Sequence, residues 1–353
     1  MSAPPLTAEA DLGSLGHRTL SSAAIALICA GSVGVVAVLF ALTSHSVAGF
    51  VIVTPVAVVA ALVAMSWVVE GGRSARSRLA ESLALLGLVL AIVPLLAVLG
   101  FTLVNGLKRF DSTFLTHSMR NVADSDPGGG AYHAIVGTLE QVLIATVISV
   151  PLGLMVSIYL VEYGSRSRYG RLISTTVDVM TGLPSIIAGL FILSFWVLAL
   201  HQGFSGLAGA LALTVLMIPV VIRTTEEMLR LVPNALREGS LALGARQWRT
   251  IVSVVIPAAL PGITTGVMLA VARVMGETAP VLLTVFGNPA VNMNPFSGPQ
   301  ESLPLYIFSQ AQLPNDTAVA RAWSGALTLI ILVIALTVAA RLLTRRWHVP
   351  TGG

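Results

Sequence analysis

Long runs of apolar residues dominate this chain, and its polar residues are concentrated in the stretches between them. A helix needs about 20 mostly apolar residues to cross about 30 Å of hydrocarbon, and eight segments meet that requirement. They lie at about 21–41, 48–69, 79–104, 133–161, 172–199, 204–225, 262–286 and 322–343. The pattern therefore predicts an all-α fold, a polytopic membrane helix bundle.

The composition supports this prediction. Apolar residues make up 55% of the chain and charged residues 10%, whereas soluble domains average about 45–50% and about 25%. The net charge is +4, but the basic residues are spread over short loops, so they indicate membrane topology and not a nucleic-acid-binding patch. The single cysteine, Cys29, lies in an apolar run and excludes an intrachain disulfide. The histidines lack metal-ligand spacing, so no metal and no cofactor is predicted.

Arginines between the spans predict the orientation, because short cytoplasmic loops hold the excess of positive charge. They follow the second, fourth, sixth and eighth spans: Arg73, Arg76, Arg78, Arg166, Arg168, Arg171, Arg230, Arg237, Arg246, Arg249, Arg345 and Arg346. The sequence thus predicts a protein of the cell membrane with cytoplasmic tails at 1–20 and 344–353. The first apolar run lacks a small-residue cleavage site and is predicted to be a retained helix. The loops at 105–132 and 287–321 are predicted to form the external mouth.

One cytoplasmic segment, 226–261, has helical periodicity with little span character. Pro233 stands near a helix start, and Gly244-Ala245 interrupts the pattern before Trp248, which predicts two short amphipathic helices around a glycine corner. Exposed small residues allow a close backbone approach, so this corner suits insertion into a groove of a partner protein. An amphipathic pair that rests on lipid headgroups is the alternative.

Residues of this segment resemble the EAA loop of permeases in ATP-binding cassette (ABC) importers. The sequence Glu238-Gly239-Ser240, then Gly244, Val254 and Ile256-Pro257, keeps the family's spacing, with Ala-Ala replaced by Gly-Ser, Ile by Val and Leu by Ile. The family's loop docks in a cleft of the ATP-binding subunit. The resemblance therefore implies that the contact surface here consists of Arg237, Glu238, Gly239, Ser240, Leu243, Gly244 and Ala245.

Four further blocks resemble the PstA-type permeases of phosphate ABC transporters. They begin at Tyr159, Leu183, Val221 and Ala272 and read YLVEYG, LPSIIAGLF, VIRTTE and ARVMGETAP. The resemblance runs from about residue 79 to the C-terminus. It implies a type I importer (MetI-like) core of six spans at 79–343, and the two spans at 21–69 are additional to it.

This resemblance also implies the partners of the chain. A second related permease (PstC-like), a dimer of ATP-binding subunits (PstB-like) and an extracytoplasmic phosphate-binding protein (PstS-like) would assemble with it in the lipid membrane, with phosphate as the substrate. The only lysine, Lys108, does not stand in the Gly-Lys-Ser/Thr pattern of a nucleotide-binding loop. ATP hydrolysis is therefore predicted to belong to a partner, and this chain is predicted to be a permease and not an enzyme.

Charged residues within spans are candidates for the substrate route, because a charge in hydrocarbon is costly. Arg273 is predicted about 16 Å along its span, near the midplane, with Glu277 one turn further on the same face. Arg223 stands near the inner end of its span. Guanidinium groups bind tetrahedral oxyanions through paired hydrogen bonds and stay protonated. Arg223 and Arg273 are predicted to line the route, while Glu277 neutralises Arg273 or accepts a hydrogen bond from protonated phosphate.

Each of these residues has a structural alternative. Arg273 and Glu277 can form an ion pair that holds helices in register, and Arg223 can extend to the membrane interface. Ser185 follows Pro184, where a broken helix would point N–H groups at an anion, but an ordinary proline kink gives the same sequence.

Three alternatives remain for the chain as a whole. The cargo of the importer can be another oxyanion or small solute. An ATP-independent secondary transporter would show repeated halves with matching broken helices, and none is evident. A membrane-embedded enzyme would gather a polar constellation at one depth, and none is apparent in the sequence.

Overall fold

The computed structural model describes residues 20–43, 47–164 and 167–345, which are mostly helical. The helices are α1 (Ser22–Thr43), α2 (Val47–Glu70), α3 (Gly72–Gly106), α4 (Ser112–Thr116), α5 (Tyr132–Ile158), α6 (Arg168–Thr181), α7 (Ser185–Ile192), α8 (Gly206–Leu231), α9 (Asn234–Ala242), α10 (Gln247–Thr250), α11 (Ile256–Met275), α12 (Ala279–Thr284), α13 (Leu303–Ala311) and α14 (Asp316–Arg345). Wider π-helical turns follow α5 (Tyr159–Tyr163) and α7 (Leu193–Ala199) and precede α11 (Ile251–Val255). The all-α prediction is confirmed.

Seven helical stretches among the described residues are long and apolar enough to cross a membrane. They are Ser22–Thr43, Gly49–Glu70, Gly72–Arg109, Tyr132–Tyr163, Gly206–Leu231, Gln247–Met275 and Asp316–Leu342. The pair Arg168–Thr181 and Ser185–Ala199 passes the same test but is bent by 104° at its break. Each of the eight predicted apolar segments overlaps one of these stretches or the bent pair.

Helices α5 and α8 pack side by side and run in the same direction. Close to the start of each helix, a Cβ added to Gly209 would come 3.2 Å from Gln141 Oε1. Further along both helices, the Ser157 hydroxyl donates to the Ile222 carbonyl, with the oxygens 2.9 Å apart. Two parallel neighbours require a connection that returns across their length. The bent pair of α6 and α7 supplies this return, so it counts as the eighth span.

The chain divides into two compact units between Leu99 and Gly100. In the first unit, α1 packs against α2, and Glu70 at the end of α2 fixes the neighbouring helix ends. Its carboxylate accepts hydrogen bonds from the Leu20 N–H, the Ser66 hydroxyl and the Arg78 guanidinium. Gly71 has φ +92°, a left-handed conformation that glycine adopts without steric cost, and it turns the chain tightly into α3.

The core of the second unit lies where α5, α8, α11 and α14 meet. Its buried members include Val142, Ala145, Leu213, Met217, Val221, Ala270 and Val274. Helices approach closely at glycines, as membrane helices commonly do. A Cβ on Gly266 of α11 would lie 2.7 Å from the Thr224 side chain of α8. This close contact fixes the position of α11 along the axis of α8.

Two predicted spans are wrong as continuous helices. The span at 172–199 breaks after Thr181, because Pro184 disfavours the α conformation at the residue before it. The span at 262–286 is displaced, since the helical stretch begins at Gln247 and ends at Met275, before the separate helix α12. Pro280 in the first turn of α12 has no N–H to continue a helix from α11.

The non-spanning segment predicted at 226–261 is shorter in the structure. Helix α8 continues to Leu231, and the residues from Gln247 onward belong to the helical stretch that contains α11. Several sequence predictions lie outside the described residues: the tail at 1–20 apart from Leu20, Arg166, and the tail from Arg346 onward.

Candidate functional site: a helix corner and the span arginines

Residues 233–250, which we call the helix corner, form two short helices as predicted. Helix α9 starts directly after Pro233, whose fixed φ suits a helix start. Gly244 has φ +82°, and its left-handed conformation ends the first helix and allows the turn into α10. The predicted glycine corner is confirmed.

The outer surface of the helix corner is open and carries small residues. A Cβ added to Gly239 or to Gly244 would meet nothing within 4 Å, and Leu243 is 90% exposed. Ser240 is partly turned inward, and its hydroxyl lies 2.9 Å from the Thr250 hydroxyl. Glu238 is exposed and Ala245 half-buried. The predicted contact residues other than Arg237 therefore lie together on the protruding side of the helix corner.

Arg237 fastens the helix corner to the ends of α5 and α8. Its guanidinium donates to Glu162 Oε1 from Nε at 3.1 Å and from Nη2 at 2.9 Å. It also donates to the carbonyls of Leu229 and Val232 at the end of α8, where the last carbonyls of a helix lack the N–H groups of a following turn. The ion pair with Glu162 is mostly buried. These contacts connect the helix corner directly to both helices.

Arg223 is held by a network between α6 and α8. Its Nη1 donates to Glu226, and its Nη2 donates to Asp178 and to the Ser174 carbonyl and hydroxyl. Glu226 also accepts from Arg230. The Arg223 guanidinium is thus shared among partners of the same chain. This geometry favours a structural role for Arg223 through ion pairs, which differs from the predicted extension to the membrane interface, and its part in the substrate route stays a prediction.

Arg273 is more open. It lies in the last turn of α11 and not in the middle of an uninterrupted helix at 262–286, and its depth in the membrane stays a prediction. Its side chain is 62% exposed, and Nε is 4.0 Å from Glu277 Oε1. A separation of 4.0 Å is too long for a hydrogen bond. Glu277 lies beyond the end of α11, so this is a loose ion pair that leaves the guanidinium accessible.

The two candidate pathway arginines lie at different heights. Thr224, the neighbour of Arg223, packs against Gly266, and Arg273 is seven residues, or about 10 Å, further along α11. Arg223 and Arg273 therefore do not form one clamp around a single anion.

Ser185 is the first residue of α7, directly after the 104° break. Helix α7 packs against α12, where a Cβ on Gly189 would come 2.7 Å from the Pro280 Cα. The broken helix therefore lies beside the segment that follows Glu277, and its half-buried serine begins a short helix. No hydrogen bond of the Ser185 side chain is found within the described residues, and its pathway role stays a prediction.

A second polar region, which the sequence analysis missed, surrounds a cavity of about 820 Å³ between the two predicted external loops. Among its lining residues are Glu301, His133 and Tyr306. Burial raises the pKa of the Glu301 carboxyl to about 7, although the backbone N–H groups of Ser302 and Asn288 oppose the shift. Burial likewise raises the pKa of the Tyr306 phenol. Glu301 stands in a loop without a recognisable motif, so no sequence signal marked it.

Arg321 of α14 organises the same region. Its side chain is fully buried and donates to Gln310 Oε1 and to the backbone carbonyls of Asp124, Asp126 and Gly128. This arginine ties the loop at 105–132 to α13 and α14. The sequence analysis did not single out Arg321, because its backbone partners at Asp124, Asp126 and Gly128 lie almost 200 positions away in the sequence.

Comparison with known proteins places these features in a family. Residues 149–349 match the family described as "Binding-protein-dependent transport system inner membrane component". The phosphate transport system permease protein PstA 1 of Mycobacterium tuberculosis (strain H37Rv) is 47% identical over 267 residues, which are 74% of this chain and 86% of that protein. PstA of Yersinia pestis is 37% identical over 274 residues, covering 78% and 92% respectively.

The chain is therefore a polytopic membrane permease, and it belongs to the family of binding-protein-dependent transport system inner membrane components. The predicted resemblance to PstA-type permeases is confirmed. A chain in the inward-facing MetNI methionine ABC transporter is similar at 22% identity and a TM-score of 0.48, covering 62% of this chain and 95% of that one.

Proposed function

We propose that this chain is one of two permease subunits of an ABC importer that carries inorganic phosphate into the cell. The structural observation that carries the proposal is the helix corner, which is fastened to α5 and α8 but open on its outer surface. Such a protruding surface suits docking of a separate subunit that hydrolyses ATP. The 47% identity with a phosphate transport permease over 86% of its length supports phosphate as the cargo.

The partners follow from this proposal. ATP is hydrolysed by a dimer of PstB-like subunits that receive the open surface around Gly239 and Gly244. A PstC-like permease completes the route through the membrane, and a PstS-like binding protein delivers phosphate from outside. The surface of small residues supports close docking, because a partner backbone can approach where side chains are absent.

Arg273 is the proposed pathway residue with the strongest support. Its guanidinium is accessible and only loosely paired with Glu277, so it has donors available for an oxyanion. Glu277 keeps Arg273 partly neutralised between transport events. Arg223 and Ser185 border the route, Arg223 as a charge that holds α6 against α8.

Both termini are proposed to lie in the cytoplasm, with the helix corner on the same side. The even number of spans supports this arrangement, as do the arginines that follow alternate spans.

Phosphate uptake by the complete transporter tests the proposal. Arg273→Gln is expected to lower uptake about tenfold or more, because hydrogen bonds to charged groups contribute about 1.5–3 kcal/mol and a factor of ten corresponds to about 1.4 kcal/mol. Arg273→Lys keeps the charge without the planar fork and is expected to retain intermediate uptake.

Arg120→Gln is the matched control, since this arginine is exposed in the loop at 105–132, away from Arg273 in the sequence. It removes the same charge and is expected to leave uptake near that of the wild type. Uptake of sulfate in competition with phosphate identifies the cargo. Unchanged uptake by Arg273→Gln in an assembled complex contradicts the pathway role, and equal transport of sulfate contradicts phosphate as the specific cargo.

A further inference from the structure

A cavity of about 460 Å³ lies at the junction of α2 and α3, within the first unit and outside the matched family region. Its lining residues are Val63, Trp67, Gly72, Arg73, Ala75, Arg76 and Leu79. The cavity therefore combines two cations with an aromatic ring and aliphatic side chains. Val63 and Trp67 belong to the second of the two additional spans, for which the proposed transport function provides no role, and the other lining residues belong to the start of α3.

The two arginines of this cavity are available to bind an anionic ligand. Arg73 and Arg76 are three positions apart on α3, so they share a face of the helix, and both side chains are exposed. The nearest carboxylate, Glu70, is occupied by Arg78, Ser66 and the Leu20 N–H. Within the described ranges, neither Arg73 nor Arg76 forms an ion pair.

The position and the apolar wall indicate the kind of anion. The cavity lies where α2 ends and α3 begins, and both helices belong to apolar stretches long enough to span the membrane. Such a junction lies at the level of the lipid headgroups. Trp67 is 68% exposed there, and tryptophan is enriched at this level because its ring is amphipathic.

We propose that this cavity binds an anionic phospholipid. Arg73 and Arg76 donate to its phosphate, and Trp67, Val63 and Leu79 contact the first part of its acyl chains. Basic pockets between membrane helices bind such headgroups. A free inorganic phosphate would contact only the arginines and gain nothing from the apolar wall. The proposal is independent of the transported substrate, so it survives if the cargo is not phosphate.

Native mass spectrometry of the purified transporter, titrated with phosphatidylglycerol or phosphatidylcholine, tests this site. The wild type is expected to retain phosphatidylglycerol preferentially. The double variant Arg73→Gln/Arg76→Gln is expected to lose about thirtyfold in apparent affinity, since each basic residue near the surface contributes about 1 kcal/mol. The control Arg168→Gln/Arg171→Gln removes the same charge from α6 and is expected to bind like the wild type.

Trp67→Ala leaves both arginines in place, so it distinguishes binding of a phospholipid from binding of free inorganic phosphate. A phospholipid site predicts weaker phosphatidylglycerol binding by this variant, whereas a site for inorganic phosphate predicts no change. Equal lipid retention by the double variant and the wild type overturns the proposal. Displacement of the lipid by millimolar inorganic phosphate, or an equal loss in the Arg168/Arg171 control, overturns it as well.

Discussion

The arginines of this chain differ in how many partners they have, and this difference separates their roles. Arg237 and Arg321 have most of their donors engaged by carbonyls and side chains of the same chain, while Arg273 has a single loose contact. The sequence identified Arg273 as a charge in an apolar run. It could not reveal these differences, because Arg237 pairs with Glu162, 75 positions away, and Arg321 binds loop carbonyls that carry no sequence signature.

Glu301 gives a pH-dependent prediction at the scale of one residue. Its pKa is raised from 4.5 to about 7 because burial disfavours the charged carboxylate. The folded state therefore binds the proton more tightly than the unfolded state does, and stability is lost as the pH rises from about 4.5 through 7. Glu301→Gln cannot ionise and is expected to escape this loss. The difference amounts to about 3 kcal/mol at most, at 1.36 kcal/mol per pKa unit.

Thermal unfolding of the wild type and of Glu301→Gln between pH 4.5 and 8 measures this effect. The variant is expected to gain stability relative to the wild type across this range and to keep a constant advantage above it. Glu227→Gln, on the exposed side of α8, is the control and is expected to track the wild type. A constant difference between Glu301→Gln and the wild type from pH 4.5 to 8 would falsify the prediction.

At the scale of helices, hydropathy identified where apolar stretches lie but not where they change direction. Pro184 breaks a helix by 104°, whereas Pro219 lies inside the continuous helix α8. A proline is thus an ambiguous signal, because neighbouring helices and local adjustments can satisfy the freed carbonyl. The helix corner was predictable since Pro233, Gly244 and the amphipathic pattern all indicate the same structure.

The link between the helix corner and the spans leads to a prediction about coupling. Arg237→Glu removes the ion pair with Glu162 and places like charges together, so nucleotide-driven movement is expected to reach α5 less efficiently. We expect ATP hydrolysis by the complex to persist while phosphate uptake falls about tenfold, as for the loss of a hydrogen bond to a charged group. The exchanged pair Arg237→Glu/Glu162→Arg is expected to recover part of the uptake.

Gly239→Leu tests the other proposed role of the helix corner, which is docking of the ATP-binding subunit. A Cβ at Gly239 meets no atom of the permease within 4 Å, so the subunit is expected to fold and insert normally but to lose its ATP-binding partner during purification. Gly239 is a cleaner position for this test than Gly244, whose φ of +82° makes any side chain strained. Loss of ATPase co-purification in Arg237→Glu, or its retention in Gly239→Leu, would contradict this division of roles.

For the whole molecule, the parallel packing of α5 and α8 bears on the number of spans. Because the chain must return between these helices, the bent pair is counted as one span, which gives eight candidate spans among the described residues. The sequence predicted this number from apolar length alone. It could not show that the broken segment crosses, since a re-entrant loop has the same composition.

Labelling of single cysteines in intact cells tests the proposed orientation. In a background of Cys29→Ala, Ser125→Cys is expected to react with a membrane-impermeant maleimide, because Ser125 is exposed in the predicted external loop. Arg168→Cys, at the start of α6, is expected to react only after the cells are permeabilised. The reverse labelling pattern refutes the orientation, and labelling of both positions in intact cells refutes the crossing by α5 that separates them.

The π-helical turn Ile251–Val255 has a consequence for insertions and deletions. A π turn closes its hydrogen bonds one residue later than an α turn, so the chain between the helix corner and α11 carries a surplus residue. Each residue of an α-helix advances the rotation by about 100°. Removal of one residue here would therefore let the π turn close as an α turn, and the helix corner would keep nearly the same direction. The same deletion within the regular part of α11 would instead rotate the helix corner by about 100° around the helix axis, with every docking side chain intact but facing a different direction.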